Sequence, residues 1–331
     1  MQAKNVMIYG TLGPACADPE ILGKMLSEGM DGMRLNLSHV TLAESAALIE
    51  TYQNAAARCG KPAALLIDLQ GPELRIGTLA EPVRLTEGER IGTDAIPFPD
   101  KVKEALKNAA AGQELLLDDG KILLKTQSEN LLCVVRGGLL GSRKSVALPG
   151  VVMHTPALTE ADLNHIRLAK AYGVTAVMQP FVRGKEDLIA VRAALNEAGG
   201  EGIRLLAKIE NEDGLAHLEE LLPCCDEIVI ARGDLGNAVP LWELPAVQKR
   251  IAAVCRKAGR DFMVVTQMLD SMTHRPVPTR AEVSDIFNAV LDGASSVMLT
   301  GETAAGEYPV SAIRYLVKTV RAAETYRNAM R

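Results

Sequence analysis

The sequence predicts an α/β protein of the (β/α)8 barrel class, with a small β-rich domain inserted after the third barrel strand. Short apolar runs alternate eight times with longer segments of helical period. One long interval interrupts this alternation, and polar residues follow the carboxyl ends of most of the apolar runs. Eight alternations favour a closed barrel over an open, doubly wound sheet.

The apolar runs are rich in β-branched residues and are short, which is typical of strands buried in a parallel sheet. The predicted strands cover residues 6–9, 32–37, 63–68, 176–179, 204–209, 227–231, 262–266 and 295–299.

The segments between the strands have apolar residues at helical spacing, and several begin with a residue that caps helices well. The predicted helices cover residues 19–28, 42–58, 160–172, 186–197, 214–221, 244–257, 280–291 and 309–325. The predicted caps are Asp18, Thr41, Thr159 and Thr279.

The interval between Leu74 and Leu148 does not follow this pattern. It contains Pro, Gly and short alternating runs, which indicate antiparallel strands. The sequence therefore predicts a catalytic barrel from residues 1–73 and 149–331, and an inserted β-rich domain from residues 74–148.

Composition limits the classes of partner. The 36 Lys and Arg residues against 41 Asp and Glu give a formal charge of −5, which gives no reason to expect a nucleic acid or an anionic membrane as partner. The six cysteines show no CxxC pair, as is typical of a reducing compartment. With no signal-like amino terminus and no membrane-spanning run, we expect a cytoplasmic protein that binds small molecules.

Polar clusters stand at the carboxyl ends of six predicted strands. In a parallel barrel these ends meet on one open face, so the clusters predict a single active site there. They are Arg34 to His39, Asp68 with Gly71 to Arg75, Lys208 to Asn211, Arg232 to Asp234, Thr266 with Gln267, and Thr300 to Thr303.

Residue types within these clusters indicate phosphoryl or enolate chemistry. Glu210 and Asp234 are carboxylates at neighbouring strand ends, able to hold a hard divalent cation. Lys208 precedes Glu210 by two residues and so projects from the same face of the strand. A fixed cation beside a metal suits a developing negative charge. Arg34 and Arg75 supply planar groups for phosphate or carboxylate.

The ordered motifs resemble the signatures of the pyruvate kinase family, and the resemblance covers nearly the whole chain. The motifs are Thr11-Leu12-Gly13-Pro14-Ala15, Met33-Arg34-Leu35-Asn36-Leu37-Ser38-His39, Gly71-Pro72-Glu73-Leu74-Arg75, Lys208-Ile209-Glu210-Asn211, Ile230-Ala231-Arg232-Gly233-Asp234-Leu235-Gly236, Thr266-Gln267-Met268-Leu269, Pro278-Thr279-Arg280-Ala281-Glu282 and Thr300-Gly301-Glu302-Thr303-Ala304.

The resemblance implies roles for the strand-end residues. Glu210 and Asp234 would ligate Mg²⁺ or Mn²⁺, and Lys208 would stabilise the transferring phosphoryl group and the enolate. Thr266 would lie near C3 of the enolate, in the proton relay. Arg34 would act in catalysis and contact nucleotide.

The same resemblance implies the binding sites. Substrate would be bound by Ala231, Arg232, Gly233, Thr266 and Phe181, and nucleotide by Arg34, Arg75, Asn36, His39 and Lys144. Asn36, Ser38, Asp68 and Leu69 resemble a potassium site. The inserted domain resembles a mobile lid, with Asp119 and Arg143-Lys144 in it.

Some residues depart from the family pattern. Leu69-Gln70 stand where potassium-dependent members carry Thr-Lys, whereas Glu73 is of the potassium-dependent kind, so the potassium requirement stays open. Pro180 replaces a serine, Asn237-Ala238 replace an apolar-acidic pair, and Thr300 replaces a serine. The resemblance also implies a short form without the carboxyl-terminal regulatory domain, and a homodimer through the barrel.

The function implied by the resemblance is phosphoryl transfer from phosphoenolpyruvate to ADP, giving pyruvate and ATP through a metal-stabilised enolate. One alternative is enolate chemistry without nucleotide, as in an oxaloacetate decarboxylase or an aldolase. A second alternative is a catalytically weak sensor that binds phosphoenolpyruvate or nucleotide.

Overall fold

The structure is a computed structural model of the chain, and it describes residues 5–118, 120–151 and 156–330. The strands, in chain order, are β1 (Met7–Thr11), β2 (Gly32–Asn36), β3 (Ala64–Asp68), β4 (Val83–Leu85), β5 (Arg90–Gly92), β6 (Glu114–Leu117), β7 (Ile122–Ser128), β8 (Leu131–Arg136), β9 (Gly138–Leu140), β10 (Val146–Ala147), β11 (Val174–Gln179), β12 (Arg204–Ile209), β13 (Glu227–Ala231), β14 (Asp261–Val265) and β15 (Ser296–Met298).

The helices, in chain order, are α1 (Pro19–Glu28), α2 (Ala46–Arg58), α3 (Asp100–Asn108), α4 (Glu160–Ala169), α5 (Lys185–Glu197), α6 (Glu212–Ala216), α7 (Leu218–Leu221), α8 (Arg232–Ala238), α9 (Leu244–Lys257), α10 (Arg280–Leu291), α11 (Gly301–Ala304) and α12 (Pro309–Ala329).

The predicted barrel is confirmed. Eight strands close in the order β1-β15-β14-β13-β12-β11-β3-β2, and every neighbouring pair is parallel. Each observed strand end lies within two residues of its predicted position. The β-branched apolar runs define these strands well because both faces of a barrel strand are buried.

The strand register separates two faces of the barrel wall. Side chains such as Leu66, Met178, Leu206 and Val229 fill the interior, while the alternating residues pack against the helices. Lys208 pairs with Val229, so Lys208 lies on the inner face, because directly paired residues of parallel strands point to the same side.

Helix starts follow the predicted caps at three of four positions. The side chains of Asp18, Thr159 and Thr279 each accept hydrogen bonds from backbone amides of the first turn. Thr41 was a wrong prediction, since the helix begins at Ala46. The Thr41 amide instead donates to the Glu44 carboxylate at 2.9 Å, and the Glu44 amide donates to the Thr41 hydroxyl. These two hydrogen bonds close a turn that precedes the helix.

Other differences concern short elements. The predicted helix 214–221 is divided into α6 and α7 at His217. Helices α3, α8 and α11 were not predicted. Helices α8 and α11 are short and begin soon after strand ends, so neither repeats the helical spacing over enough residues to be recognised in the sequence.

The chain divides into two compact units, residues 1–71 with 157–331 and residues 72–156. The first contains the barrel. The second contains a five-stranded antiparallel sheet in the order β10-β6-β7-β8-β5, the pair β4-β9 and helix α3. It has its own apolar core, which includes Leu115, Leu124, Leu132 and Val134.

Across the residues that the structure describes, no helix combines the length and apolar character needed to span a bilayer.

Candidate active site

Asp68, at the end of β3, holds two cationic side chains inside the barrel. Its Oδ2 accepts hydrogen bonds from Arg34 Nε at 2.9 Å, Arg34 Nη2 at 2.6 Å and Lys208 Nζ at 3.1 Å. Its Oδ1 is buried and has no hydrogen-bond donor among the described residues. One oxygen therefore carries all the ion pairing, and the other keeps its capacity to bind a ligand.

Glu210 is bound between Lys208 and a backbone amide. Its Oε2 accepts a hydrogen bond from Phe181 N at 2.8 Å, and its Oε1 lies 2.9 Å from Lys208 Nζ. Oε1 is buried and receives no hydrogen bond within the described chain, so its contact with Lys208 is an ion pair without hydrogen-bond geometry. Phe181 presents its amide from a left-handed conformation with φ +52°, which is unusual outside glycine.

Local charges fix the protonation of this cluster. Burial by itself would raise the pKa of Asp68, but the charges of Lys208 and Arg34 outweigh burial and hold that pKa below its usual range. Burial would lower the pKa of Lys208, but Asp68 and Glu210 together raise it well above its ordinary value, with Asp234 adding to the effect. Lys208 is therefore a permanent cation at neutral pH.

The donors fit a divalent ion that completes its coordination with water or substrate. In the part of the chain that the structure describes, no group of three or more His, Cys, Asp or Glu side chains could bind a metal. Glu210 supplies a buried oxygen without a hydrogen bond, and Asp234 lies within electrostatic range of Lys208. Magnesium sites of this kind use one or two carboxylates together with substrate phosphates.

Thr266 follows β14 in a strained turn beside α8. Its φ is +75°, and that of Gln267 is +53°. Gly233 lets the α8 start approach this turn, since a Cβ at position 233 would lie 3.2 Å from Thr266 Cγ2. Ala231, which ends β13, is buried.

The Arg232 side chain is bound by other groups of the protein. Its Nη2 donates to the Thr266 carbonyl at 2.7 Å, and its Nη1 pairs with Asp285 at 2.6 Å. These contacts could not be predicted from the sequence, because Asp285 lies 53 residues further along the chain.

The residues predicted for a potassium site lie at the ends of β2 and β3. Asn36 pairs with Asp68 in the sheet register, and its Oδ1 accepts a hydrogen bond from Ser38 N at 3.2 Å. The Leu69 side chain is buried. His39 follows on the surface. The buried Oδ1 of Asp68 is the atom here that fits a further cation.

Two residues predicted to bind nucleotide belong to the second unit. Arg75 forms an ion pair with Glu73 at 2.9 Å and donates to the Arg143 carbonyl at 2.9 Å. Lys144 Nζ lies 2.8 Å from Asp118 Oδ1. Asp119 lies outside the described residues.

The sequence interpretation missed the role of Asp162. Its carboxylate completes the capping box with Thr159 and also accepts hydrogen bonds from the Gln70 amide at 3.0 Å and the Gly71 amide at 3.2 Å. It thus ties the loop after Asp68 to the start of α4. The signal available was the Thr159-x-x-Asp162 cap, which indicates a helix start but not a distant partner.

Comparison with known proteins identifies the family. Residues 3–313 match the family model described as "Pyruvate kinase, barrel domain". A pyruvate kinase of Clostridium acetobutylicum is 36% identical over 334 residues, covering 97% of this chain and 70% of the relative. One of Geobacillus stearothermophilus is 37% identical, covering 94% and 55%. One of Corynebacterium glutamicum is 39% identical, covering 97% and 70%.

The chain thus spans 55% to 70% of the length of these relatives. The family match covers the barrel, including the strand ends that carry Arg34, Lys208 and Glu210. The chain belongs to the pyruvate kinase family.

Proposed function

We propose that this chain transfers a phosphoryl group from phosphoenolpyruvate to ADP, forming pyruvate and ATP. One observation carries the proposal. Lys208 is held as a buried cation between Asp68 and Glu210, at 3.1 Å and 2.9 Å, at the carboxyl end of the barrel. Family membership supports the same chemistry.

Lys208 and Arg34 stabilise negative charge during the transfer. Phosphoryl transfer depends mainly on positioning and on neutralising charge, since its transition state is loose. Asp68 aligns both cations through one oxygen, which fixes them before substrate binds. Side chains positioned in advance lose little free energy to reorganisation at the moment of reaction.

Glu210 and Asp234 are the proposed ligands of Mg²⁺ or Mn²⁺. The buried, non-hydrogen-bonded Oε1 of Glu210 supports this choice. The ion would supply Lewis-acid neutralisation of phosphoryl and enolate oxygens.

Asn36, Ser38, Asp68 and Leu69 are proposed to hold potassium. The buried Oδ1 of Asp68 supports a monovalent cation there. Leu69-Gln70 depart from the potassium-dependent pattern, so the requirement for potassium has to be measured.

The remaining assignments come from the resemblance. Ala231, Arg232 and Gly233 would bind the substrate carboxylate through their main chain, with Phe181 and Thr266 beside the substrate. This use of the main chain is compatible with the Arg232 side chain being bound to Thr266 and Asp285.

Nucleotide binding is assigned to Arg34, Arg75, Asn36, His39 and Lys144. A homodimer through the barrel and a cytoplasmic location stay predictions.

A coupled assay tests this function. The protein is supplied with phosphoenolpyruvate, ADP and Mg²⁺, with and without K⁺, and pyruvate is detected through lactate dehydrogenase. We expect pyruvate formation that requires ADP, stops with excess EDTA and is lost in Lys208→Met. Loss of oxaloacetate without ADP would instead indicate a decarboxylase. A thermal shift with phosphoenolpyruvate but no turnover would indicate a sensor.

A further inference from the structure

The turn that carries Thr266 is strained at two consecutive residues. Thr266 and Gln267 both have positive φ, at +75° and +53°. Left-handed backbone is disfavoured outside glycine, and most of all for a β-branched residue such as threonine. Such a turn persists only where surrounding contacts determine it.

Arg232 holds the carbonyl side of the turn. Its guanidinium donates to the Thr266 carbonyl at 3.1 Å and 2.7 Å and to the Gln267 carbonyl at 3.2 Å, and it contacts Met268 Sδ at 3.1 Å. Arg232 thus binds the carbonyl groups of the turn. The amide group that follows the turn, at Leu269, is bound by a different side chain.

Glu302 holds the amide side. Its Oε1 accepts a hydrogen bond from Leu269 N at 3.0 Å, and its Oε2 accepts from Thr300 N at 2.8 Å and lies 3.3 Å from Thr300 Oγ1. The side chain is buried, and all these donors are neutral. Among the residues that the structure describes, no cation forms an ion pair with this carboxylate. A buried carboxylate without such a partner is costly, which argues for a specific use of Glu302.

The element that carries Glu302 is itself anchored to the barrel. The next residue, Thr303, accepts a hydrogen bond from Thr11 N at 2.8 Å and donates to the Thr11 carbonyl at 3.1 Å. Thr11 ends β1. Glu302 therefore connects the turn after β14 to a fixed point on the barrel wall.

We propose that Glu302 is a positioning residue: by holding Leu269 N it keeps the Thr266–Gln267 turn left-handed, so that Thr266 stays in place for protonation of the enolate. This rests on the proposed function. In that step a C–H bond forms at C3 and the O–H bond of the proton donor breaks, while the enolate oxygen becomes the ketone. The donor is then reprotonated from water.

The test measures the proton step apart from the overall reaction. Exchange of the pyruvate methyl protons in D₂O is followed by NMR, with Mg²⁺ and ATP present, beside KM for both substrates. Glu302→Gln keeps the size of the side chain but has a single acceptor oxygen, so it cannot accept from both the Leu269 amide and the Thr300 amide as the carboxylate does. We expect exchange to fall about tenfold or more, since small displacements of a reacting group are costly, with both KM values near wild type.

Glu282→Gln is the matched control. The Glu282 carboxylate completes the capping box of α10 and accepts from Ser271 N at 2.7 Å and Ser271 Oγ at 2.6 Å, two residues beyond Leu269 in the chain. We expect its exchange rate to stay near wild type even though its melting temperature falls. Equal loss of exchange in the two variants, or normal exchange in Glu302→Gln, would overturn the proposal.

A rescue variant separates strain from general instability. Glycine adopts positive φ without strain, so Gln267→Gly should raise the melting temperature, and Glu302→Gln combined with Gln267→Gly should recover exchange. The double variant also serves if Glu302→Gln alone does not fold, and absence of recovery would count against the proposal. If the wild type neither exchanges protons nor makes ATP, the proposed function fails and this inference falls with it.

Discussion

The two ends of the barrel each bury a carboxylate beside a cation, but they complete its hydrogen bonds differently. At the amino end Glu227 Oε2 accepts from Arg204 Nη2 at 2.9 Å, and Oε1 accepts from the hydroxyls of Ser295 and Ser296. At the carboxyl end Asp68 Oδ1 and Glu210 Oε1 receive no hydrogen bond from the described residues.

This difference indicates that the amino end serves stability and that the carboxyl end binds a ligand. A buried polar group that is fully hydrogen-bonded stabilises one arrangement, whereas an incompletely bonded one costs free energy until a ligand completes it. In barrel enzymes the carboxyl end carries the active site and the amino end serves stability. We therefore expect substitutions at the carboxyl end to change activity first, and substitutions at the amino end to change stability first.

The largest expected effect is on turnover in Lys208→Met. Removing a fixed cation from the site of developing charge should lower kcat by about 10²–10³-fold or more. Arg204→Met is the matched change at the amino end, and we expect its kcat per folded molecule to stay near wild type. The coupled assay, normalised to folded protein by circular dichroism, checks both. Similar losses of kcat in the two variants would contradict the assignment of activity to the carboxyl end alone.

The next effect is on stability in Glu227→Ala. The substitution removes the acceptor of Arg204 and of the Ser296 hydroxyl, while Ser295 keeps the Phe262 carbonyl. Removing one partner of a buried ion pair costs about 3 kcal/mol or more. Because the Arg204 side chain is 42% exposed, we expect the low end of that range. Urea unfolding measures the change. Unchanged stability with reduced turnover would reverse the roles assigned to the two ends.

Acid should weaken the carboxyl end through Asp68. Its pKa is lower in the folded protein than the unfolded value of 3.8, so its contribution to stability is present above that pH and is lost as the pH falls through the folded pKa. Between about pH 5 and pH 3, wild type should therefore lose more unfolding free energy than Asp68→Asn. Parallel losses in the two proteins would show that Asp68 is not the group responsible.

Alkali should give the smallest effect, at Tyr9 in the barrel interior. Burial, with help from the charge of Glu227, raises its pKa from 10.0 to about 12. Its contribution is complete below the unfolded pKa and is lost as pH rises through the folded one. Unfolding free energy measured from pH 9 upward should therefore fall less in Tyr9→Phe than in wild type. An identical decline would exclude Tyr9 as its source.

The sequence predicted the barrel from local signals. The strands were found because both of their faces are buried, and the spacing of Lys208 and Glu210 placed both on one side of a strand. Thr159 and Thr279 were identified as caps because a capping box lies within four consecutive residues. The predicted cap at Thr41 was wrong, because Thr41 and Glu44 close a turn that ends before the helix begins at Ala46.

By itself, the sequence determined the order of strands and helices and which residue types stand at the strand ends. Only the tertiary structure decided which of those residues meet. Asp68 and Lys208 lie 140 residues apart, and Arg232 and Asp285 lie 53 apart. The physical reason is that strand and helix signals come from neighbours along the chain, whereas these contacts exist only after the barrel closes in one register.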